Sequence, residues 1–350
     1  MAPASSATTS MGSTSTGSPT DSVPGMELFR PALEDTLDRL HAHLRLVAAY
    51  HRGWVDADGR PDNAGGGKAI RPALALLGAL AAGEEPSAAL PGAVAVELVH
   101  DFSLLHDDVI DDDRMRRHRP TAWTVFGVPS ALLAGDALVA LATAVITEVP
   151  GEPGRRAGVL LSDALQRLMS GQTDDLAFET RMDVTFADYL DMAGGKTAAL
   201  LSCSCSIGAA LAGGSEWLVL GLAEVGERLG LAFQLVDDLL AMWGEPATTG
   251  KPVLSDLRAR KKSAPIACAL EARGPAVDRL REYLASTGPV DDETLRDLAP
   301  VVEAAGRRRV EDEAARQLAA AEQTLTDLSL PPAADAQLRT MARYITRRDR

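Results

Sequence analysis

Three features of this 350-residue sequence predict an all-α fold, a single large helical bundle. Alanine and leucine dominate its apolar residues, and both are strong helix formers. Apolar residues recur at three- and four-residue spacing, as in LFRPALEDTLDRLHAHLRLVAAY. No run of alternating apolar and polar residues is long enough to suggest a sheet. An apolar content of 46% supplies a sizeable core, and the low aromatic content of 4% gives no push toward strands.

Residues 1–25 are rich in Ser, Thr, Gly, Ala and Pro. They lack the basic start and apolar core of a signal peptide. They hold too little apolar surface to offset the entropy of ordering, so a disordered tail is expected over 1–25 and a helical domain over 26–350. Within that domain RPALALLGALAAG places Pro near a helix start and Gly at its stop. PSAALPGAVAVELVHDFSLLHDDVIDD reads as a second long helix. SALLAGDALVALATAVITEV is broken by Asp136 and ends at Glu148, which suits a core helix better than a membrane span. Short loops follow at HRPTAW, VPGEPG, AGGK and GEPATTGKP, and DETLRDLAPVVEAAGRRRVEDEAARQLAAAEQTLTDL forms amphipathic helices with charged faces. No repeat of fixed period is present.

The net charge of −14 makes duplex nucleic acid a poor partner, so any anionic substrate needs a local basic site. Cys203, Cys205 and Cys268 form no disulfide framework and read as small buried side chains in a reducing, cytoplasmic protein.

The densest chemistry lies in HDDVIDDDRMRRHRP. Five of the seven residues from Asp107 to Asp113 are aspartates, and four of the next six are arginines. Asp107 and Asp111 are four apart and share a helix face, where like charges repel unless a cation intervenes. A lone acidic run is ordinarily a solvated face. Here the pattern recurs as Asp237 and Asp238 in AFQLVDDLLAMWG. Two acidic pairs at the ends of apolar helices suit Mg²⁺, held by carboxylates, water and substrate phosphates across a cavity. Lys68, Arg71, Arg116, Arg117, Lys196, Lys251, Lys261 and Lys262 lie in or beside turns spread along the chain. They suggest two anion sites, one with metal and one without.

These motifs resemble, in order, those of the trans-isoprenyl diphosphate synthases (the polyprenyl synthetase family), most closely the actinobacterial geranylgeranyl diphosphate synthase-like members. The resemblance runs from about Gly65 to Pro265 through GGKAIRP, ELVHDFSLLHDDVIDDDRMRRHRPT, GQTDDL, GGKTAAL and FQLVDDLL…GKPVLSDLRARKKSAP. It implies the isoprenoid synthase bundle with a central active-site cavity. It further implies three Mg²⁺ ions, with Mn²⁺ as a substitute, on Asp107, Asp111 and Asp237, supported by Asp108 and Asp238. Arg116, Lys196, Lys251 and Lys261 match residues that grip the allylic diphosphate. Lys68, Arg71, His100 and Arg117 match the metal-free isopentenyl diphosphate pocket. Thr197 and Gln234 match residues near the allylic carbon and leaving oxygen, and Gln172 and Asp175 fill the GQxxDL positions. The implied reaction condenses isopentenyl diphosphate with dimethylallyl, geranyl or farnesyl diphosphate by ionisation, condensation and elimination, giving mainly geranylgeranyl diphosphate.

The chain departs from the family pattern at three places. Ala241 replaces the last aspartate of the second motif, and His118 and Arg260 stand where the family has glycine, which puts bulk near the mouth of the site. Phe102 lies five residues before Asp107, about 7.5 Å along a helix, and is expected to floor the product pocket beside the small Ser103. A class I terpene cyclase and a non-catalytic subunit of a hetero-oligomeric prenyl synthase are the rival readings. The intact isopentenyl set argues against the first and the intact aspartates against the second. The resemblance also suggests a homodimer and, through the tail, a place inside an encapsulin-type protein shell.

Overall fold

In a computed structural model of the chain, the described residues are 18–62, 67–245 and 252–346. Among them the only strands are the two-residue pair Met115–Arg116 (β1) and Arg119–Pro120 (β2), joined antiparallel just after the first aspartate cluster. All other regular structure is helical, as the Ala- and Leu-rich composition predicts.

The last part of the predicted tail, Ser18 to Gly25, is structured. Pro19–Ser22 forms a 3₁₀ turn, with the Ser18 N–H donating to Asp21 at 3.1 Å. Pro19 presets the turn, and Val23 is an apolar anchor buried to 3% exposure. Residues 18–25 are therefore part of the folded body, and residues 1–17 lie outside the described residues. The periodic stretch that follows is likewise two helices rather than one. Met26–Leu37 (α1) stops, and Ala42–His51 (α2) restarts behind His41, whose Nδ1 caps the His43 N–H.

The bundle is built by Ile70–Ala81 (α3), Leu90–Ile110 (α4), Ala122–Phe126 (α5), Val128–Thr147 (α6) and Gly151–Phe178 (α7), then Phe186–Ala193 (α8), Ala199–Leu211 (α9) and Glu216–Trp243 (α10). The chain closes with Ser255–Arg258 (α11), Ala264–Glu271 (α12), Pro275–Ala285 (α13), Asp292–Val302 (α14), Arg308–Leu328 (α15) and Pro332–Thr346 (α16). At the centre runs α9, every residue of which is buried. Its Ala, Ser, Cys and Gly side chains let neighbouring helices approach closely. The buried hydroxyls are satisfied by backbone: Ser204 donates to Leu200 O at 2.6 Å and Ser202 to Ala223 O at 2.8 Å. Cys203, Cys205 and Cys268 are free and buried, as read from the sequence.

Two helical stretches, Pro86–Ile110 and Val128–Thr147, are long and apolar enough to cross a membrane by length and composition alone. The first is core, with 67% of its most apolar window buried. The second is core on one face only: Ala134, Leu138 and Ile146 are buried, whereas Leu133 is 58% exposed.

Candidate active site

The C-terminal end of α4 delivers Asp107 and Asp108, with Asp111 as its C-cap. An irregular turn delivers the next groups. Between α8 and α9 the backbone widens into a π-turn, Gly194–Ala198, that carries Lys196 and Thr197. Such turns recur at functional sites because they redirect side chains without ending the helix. Lys196 Nζ donates to Asp175 Oδ2 at 2.5 Å, and Thr197 Oγ1 to Gln234 Oε1 at 2.9 Å. The Gln234 amide then donates to Asp238 at 3.0 Å, and Asp238 also accepts from the Ala264 N–H at 2.7 Å and from Tyr189.

Burial dominates the electrostatics, with opposite charges next. Asp107 is pushed up to about 6, chiefly by burial and further by Asp111 and Asp175, against the pull of Lys196 and Arg116. Burial also raises Asp111 and Asp108, although Lys196 and Lys261 oppose the first shift and Arg116 the second. Lys261 is the countercharge. Burial alone would lower it, but Asp175, Asp238, Asp256 and Asp111 hold it above its ordinary value. The same electrostatic neighbourhood thus joins the first aspartate cluster to the second.

The donor set fits a hard divalent cation. It is all oxygen, Asp107 carries a large penalty for standing ionised, and the buried Asp108 Oδ2 has no hydrogen-bond donor. Among the described residues no three acidic, His or Cys side chains converge on one point. An ion here would have to complete its shell with water and phosphate oxygens, as Mg²⁺ does. Asp108 and Asp238 already have protein partners: Arg116 donates to Asp108 Oδ1 at 2.7 Å, and three protein donors reach Asp238. Arg116, expected on the allylic diphosphate, is held by that carboxylate. Lys251 lies outside the described residues.

The residues expected to bind isopentenyl diphosphate lie around His100, about two turns before Asp107 on α4. Arg71 and His100 are both depressed by burial. Arg117 reaches to 3.3 Å from the point where a side chain on Gly67 would begin. Lys68 is exposed, with its ammonium 5.4 Å from the centre of the Tyr344 ring on α16. Beneath them lies a group that the sequence reading missed. Arg52 is buried and pairs with Asp101 and, at 3.0 Å, with Glu97. His51 lines a small cavity with Arg116, Arg117 and Arg119; burial and those arginines lower it to about 3, so it is neutral. A signal for the triad was present. Glu97 and Asp101 stand four apart in an otherwise apolar helix, and two buried acids on one face require a cation.

Phe102 is buried at 7% exposure and stands edge-on to His106 with ring centres 4.7 Å apart. Its ring lies 3.3 Å from where a Cβ on Gly135 of α6 would sit. Ser103 donates to His100 O at 2.8 Å. Arg260 does not crowd the mouth as expected. Its guanidinium donates to Tyr283 O at 3.2 Å and Gly288 O at 2.7 Å and stacks on the Tyr283 ring. Arg260 and His118 share a left-handed backbone, with φ of 53° and 63°, which explains why glycine serves at those positions.

Residues 62–300 match the model of a protein family described as polyprenyl synthetase. A (2E,6E)-farnesyl diphosphate synthase of Mycobacterium bovis is 46% identical over 326 residues, 92% of this chain and 91% of that protein. A geranylgeranyl diphosphate synthase of Mycobacterium tuberculosis is 41% identical over 277 residues, 79% of each chain. The crystal structure of a polyprenyl synthetase from Streptomyces coelicolor A3(2) superposes with a TM-score of 0.86 at 45% identity, covering 92% of this chain and 98% of that one.

Proposed function

The chain belongs to the polyprenyl synthetase family and is a prenyltransferase, and from that premise we propose that it condenses isopentenyl diphosphate with an allylic diphosphate to make mainly geranylgeranyl diphosphate. The observation that carries the site assignment is the juxtaposition of Lys196 and Thr197 on one π-turn with Asp107, Asp111 and Lys261 in a single electrostatic neighbourhood.

In this reading Asp107, Asp111 and Asp237 would hold Mg²⁺, three ions in all, with Asp108 and Asp238 fixing their surroundings. The metal, when bound, neutralises charge on the departing diphosphate. Lys196 and Lys261, with Arg116 and Lys251, bind that diphosphate and stabilise it as the carbon–oxygen bond breaks. Thr197 and Gln234 turn their oxygens toward the allylic carbon, where positive charge develops. Arg71, His100 and Arg117, with Lys68 at the rim, hold isopentenyl diphosphate so that its double bond attacks that carbon. Neutral His100 donates or accepts a hydrogen bond there without adding charge. The apolar flanks of α4, α9 and α10 exclude water, which would otherwise quench the cation. A proton then leaves the new chain for the released diphosphate.

Phe102 supports the twenty-carbon product, because a large ring below small Ser103 closes the pocket about one and a half helical turns behind Asp107. A second reading, farnesyl diphosphate, is favoured by the 46% identity to the farnesyl synthases. One catalytic domain accounts for the folded chain. The apolar outer face of α6, with Leu133 exposed, supports a homodimer, and three free cysteines suit a reducing cytoplasm. In this reading the N-terminal segment directs the enzyme into an encapsulin-type protein shell. Co-purification with a shell protein, with and without residues 1–17, tests it.

The deciding assay incubates the enzyme with Mg²⁺, isopentenyl diphosphate and each allylic primer, and measures the product chain length. Twenty-carbon product is expected. Fifteen-carbon product transfers the assignment to farnesyl diphosphate. Cyclised hydrocarbon formed without isopentenyl diphosphate refutes condensation.

A further inference from the structure

The π-turn Gly194–Ala198 is gripped between two helices, each presenting a run of residues at helical spacing. On α7 these are Arg167, Gly171 and Asp175, four apart. On α10 they are Glu227, Gly230 and Gln234. The middle member of each is a glycine because backbone meets backbone there. A Cβ on Gly171 would lie 2.1 Å from Lys196 N, and one on Gly230 would lie 2.5 Å from Ala198 Cα. On the inner side Asp175 holds Lys196 and Gln234 holds Thr197. On the outer side the two helices are tied to each other: Arg167 donates to Glu227 Oε1 at 2.6 Å and reaches the Gly194 carbonyl at 3.4 Å.

We propose that the Arg167–Glu227 pair is a positioning element for Lys196 and Thr197, fixing the spacing of α7 and α10 across the π-turn from behind. It lies on the far side of the π-turn from the Asp175 and Gln234 contacts and lines a cleft of about 530 Å³ with Asp163, Asp174 and Asp191. The inference rests on the reading that Lys196 and Thr197 serve the allylic substrate. Contact through two glycines leaves no side chain between turn and helices to absorb a change in spacing. A shift of α7 against α10 therefore passes directly to Lys196 and Thr197. The pair itself is partly solvated, with side chains 38% and 26% exposed, so it contributes little to global stability. A misplacement of about 1 Å at reacting groups can cost on the order of 10²-fold in rate.

The test compares wild type, Arg167→Met, Arg167→Lys, Glu227→Gln and the exchanged pair Arg167→Glu/Glu227→Arg. It measures kcat, the KM for each substrate and Tm. Arg167→Met and Glu227→Gln should lower kcat by roughly 10- to 100-fold, with the isopentenyl KM and Tm little changed. Arg167→Lys should restore most of the loss. The exchanged pair should restore part of it, because the ion pair re-forms but the contact to Gly194 does not. Wild-type constants in Arg167→Met overturn the proposal. So does a loss in which both KM values and Tm move together, since that describes a merely structural bridge. If wild type itself fails to condense, the reading of the site fails and takes this inference with it; a condensing wild type beside an unaffected Arg167→Met removes only the brace.

Discussion

Asp107→Asn should make the metal-free protein more stable while disabling it. The carboxyl of Asp107 titrates at about 6 in the fold against its usual 3.8, because burial outweighs Lys196. That gap is worth about 3 kcal/mol at neutral pH. The folded protein holds this proton more tightly than the unfolded chain. The contribution of Asp107 is therefore most favourable below its usual 3.8 and is lost as pH rises through about 6. Removing the charge relieves the cost. With an unfolding entropy of about 2.1 cal/mol/K per residue over 350 residues, the relief corresponds to about 4 °C in Tm. Calorimetry in EDTA at pH 7.5 should show the variant melting higher by that amount, and the difference should shrink by about half at pH 5. Added Mg²⁺ should raise the Tm of wild type and not of the variant, while condensation activity falls by roughly 10²-fold. Equal Tm values in EDTA, or a difference that widens on acidification, would refute the view that Asp107 is held ionised against its environment for a cation.

Other outcomes follow from the same geometry. His51, neutral in the fold with a value of about 3 against the usual 6.5, stabilises above pH 6.5 and loses that contribution as pH falls. Wild type should lose about 2 kcal/mol from this group between pH 8 and pH 5, and His51→Gln should remove that part of the slope in urea midpoints. Phe102→Ala should lengthen the main product by one five-carbon unit; an unchanged chain length would sink its role as floor. Tyr344→Leu removes the ring under Lys68 and should raise the isopentenyl KM about threefold with the allylic KM unchanged.

The fold was legible because composition and periodicity both point to helix and no segment contradicts them. What sequence hid were boundaries set by single contacts. Composition does not show that residues 18–25 are structured, because one buried apolar side chain, Val23, is enough to hold a 3₁₀ turn. The break between α1 and α2 carries no Pro or Gly and rests on a His cap. The candidate aspartates were legible as dense charge, since Asp107 and Asp111 share a helix face and Asp237 opens a second acidic pair. Groups that act through distant partners were not. Arg52 meets Glu97 and Asp101 from about 45 residues away, and Arg167 meets Glu227 across 60. No spacing rule reaches that far. Only two acids without a cation nearby in sequence, Glu97 and Asp101 on α4, betrayed the first, and nothing local betrayed the second.

His118 and Arg260 turn one backbone fact into two opposite expectations. Each occupies a left-handed conformation that costs a residue with a side chain about 1 kcal/mol relative to glycine. Arg260 offsets that cost with two hydrogen bonds and a stacked Tyr283 ring, each contributing about 0.5–1.5 kcal/mol. His118 is exposed and makes none of those contacts. His118→Gly should therefore stabilise the protein by about 0.5 kcal/mol, once the greater freedom of glycine in the unfolded chain is subtracted. Arg260→Gly should destabilise it by about 1 kcal/mol or more, despite restoring the residue that suits the backbone. It should also raise the allylic KM, because Lys261 is the next residue and loses its anchored neighbour. Denaturant midpoints for the two variants decide the matter. Stabilisation of both variants would mean that side-chain anchoring of the Lys261 turn contributes nothing and that backbone strain alone sets the effect.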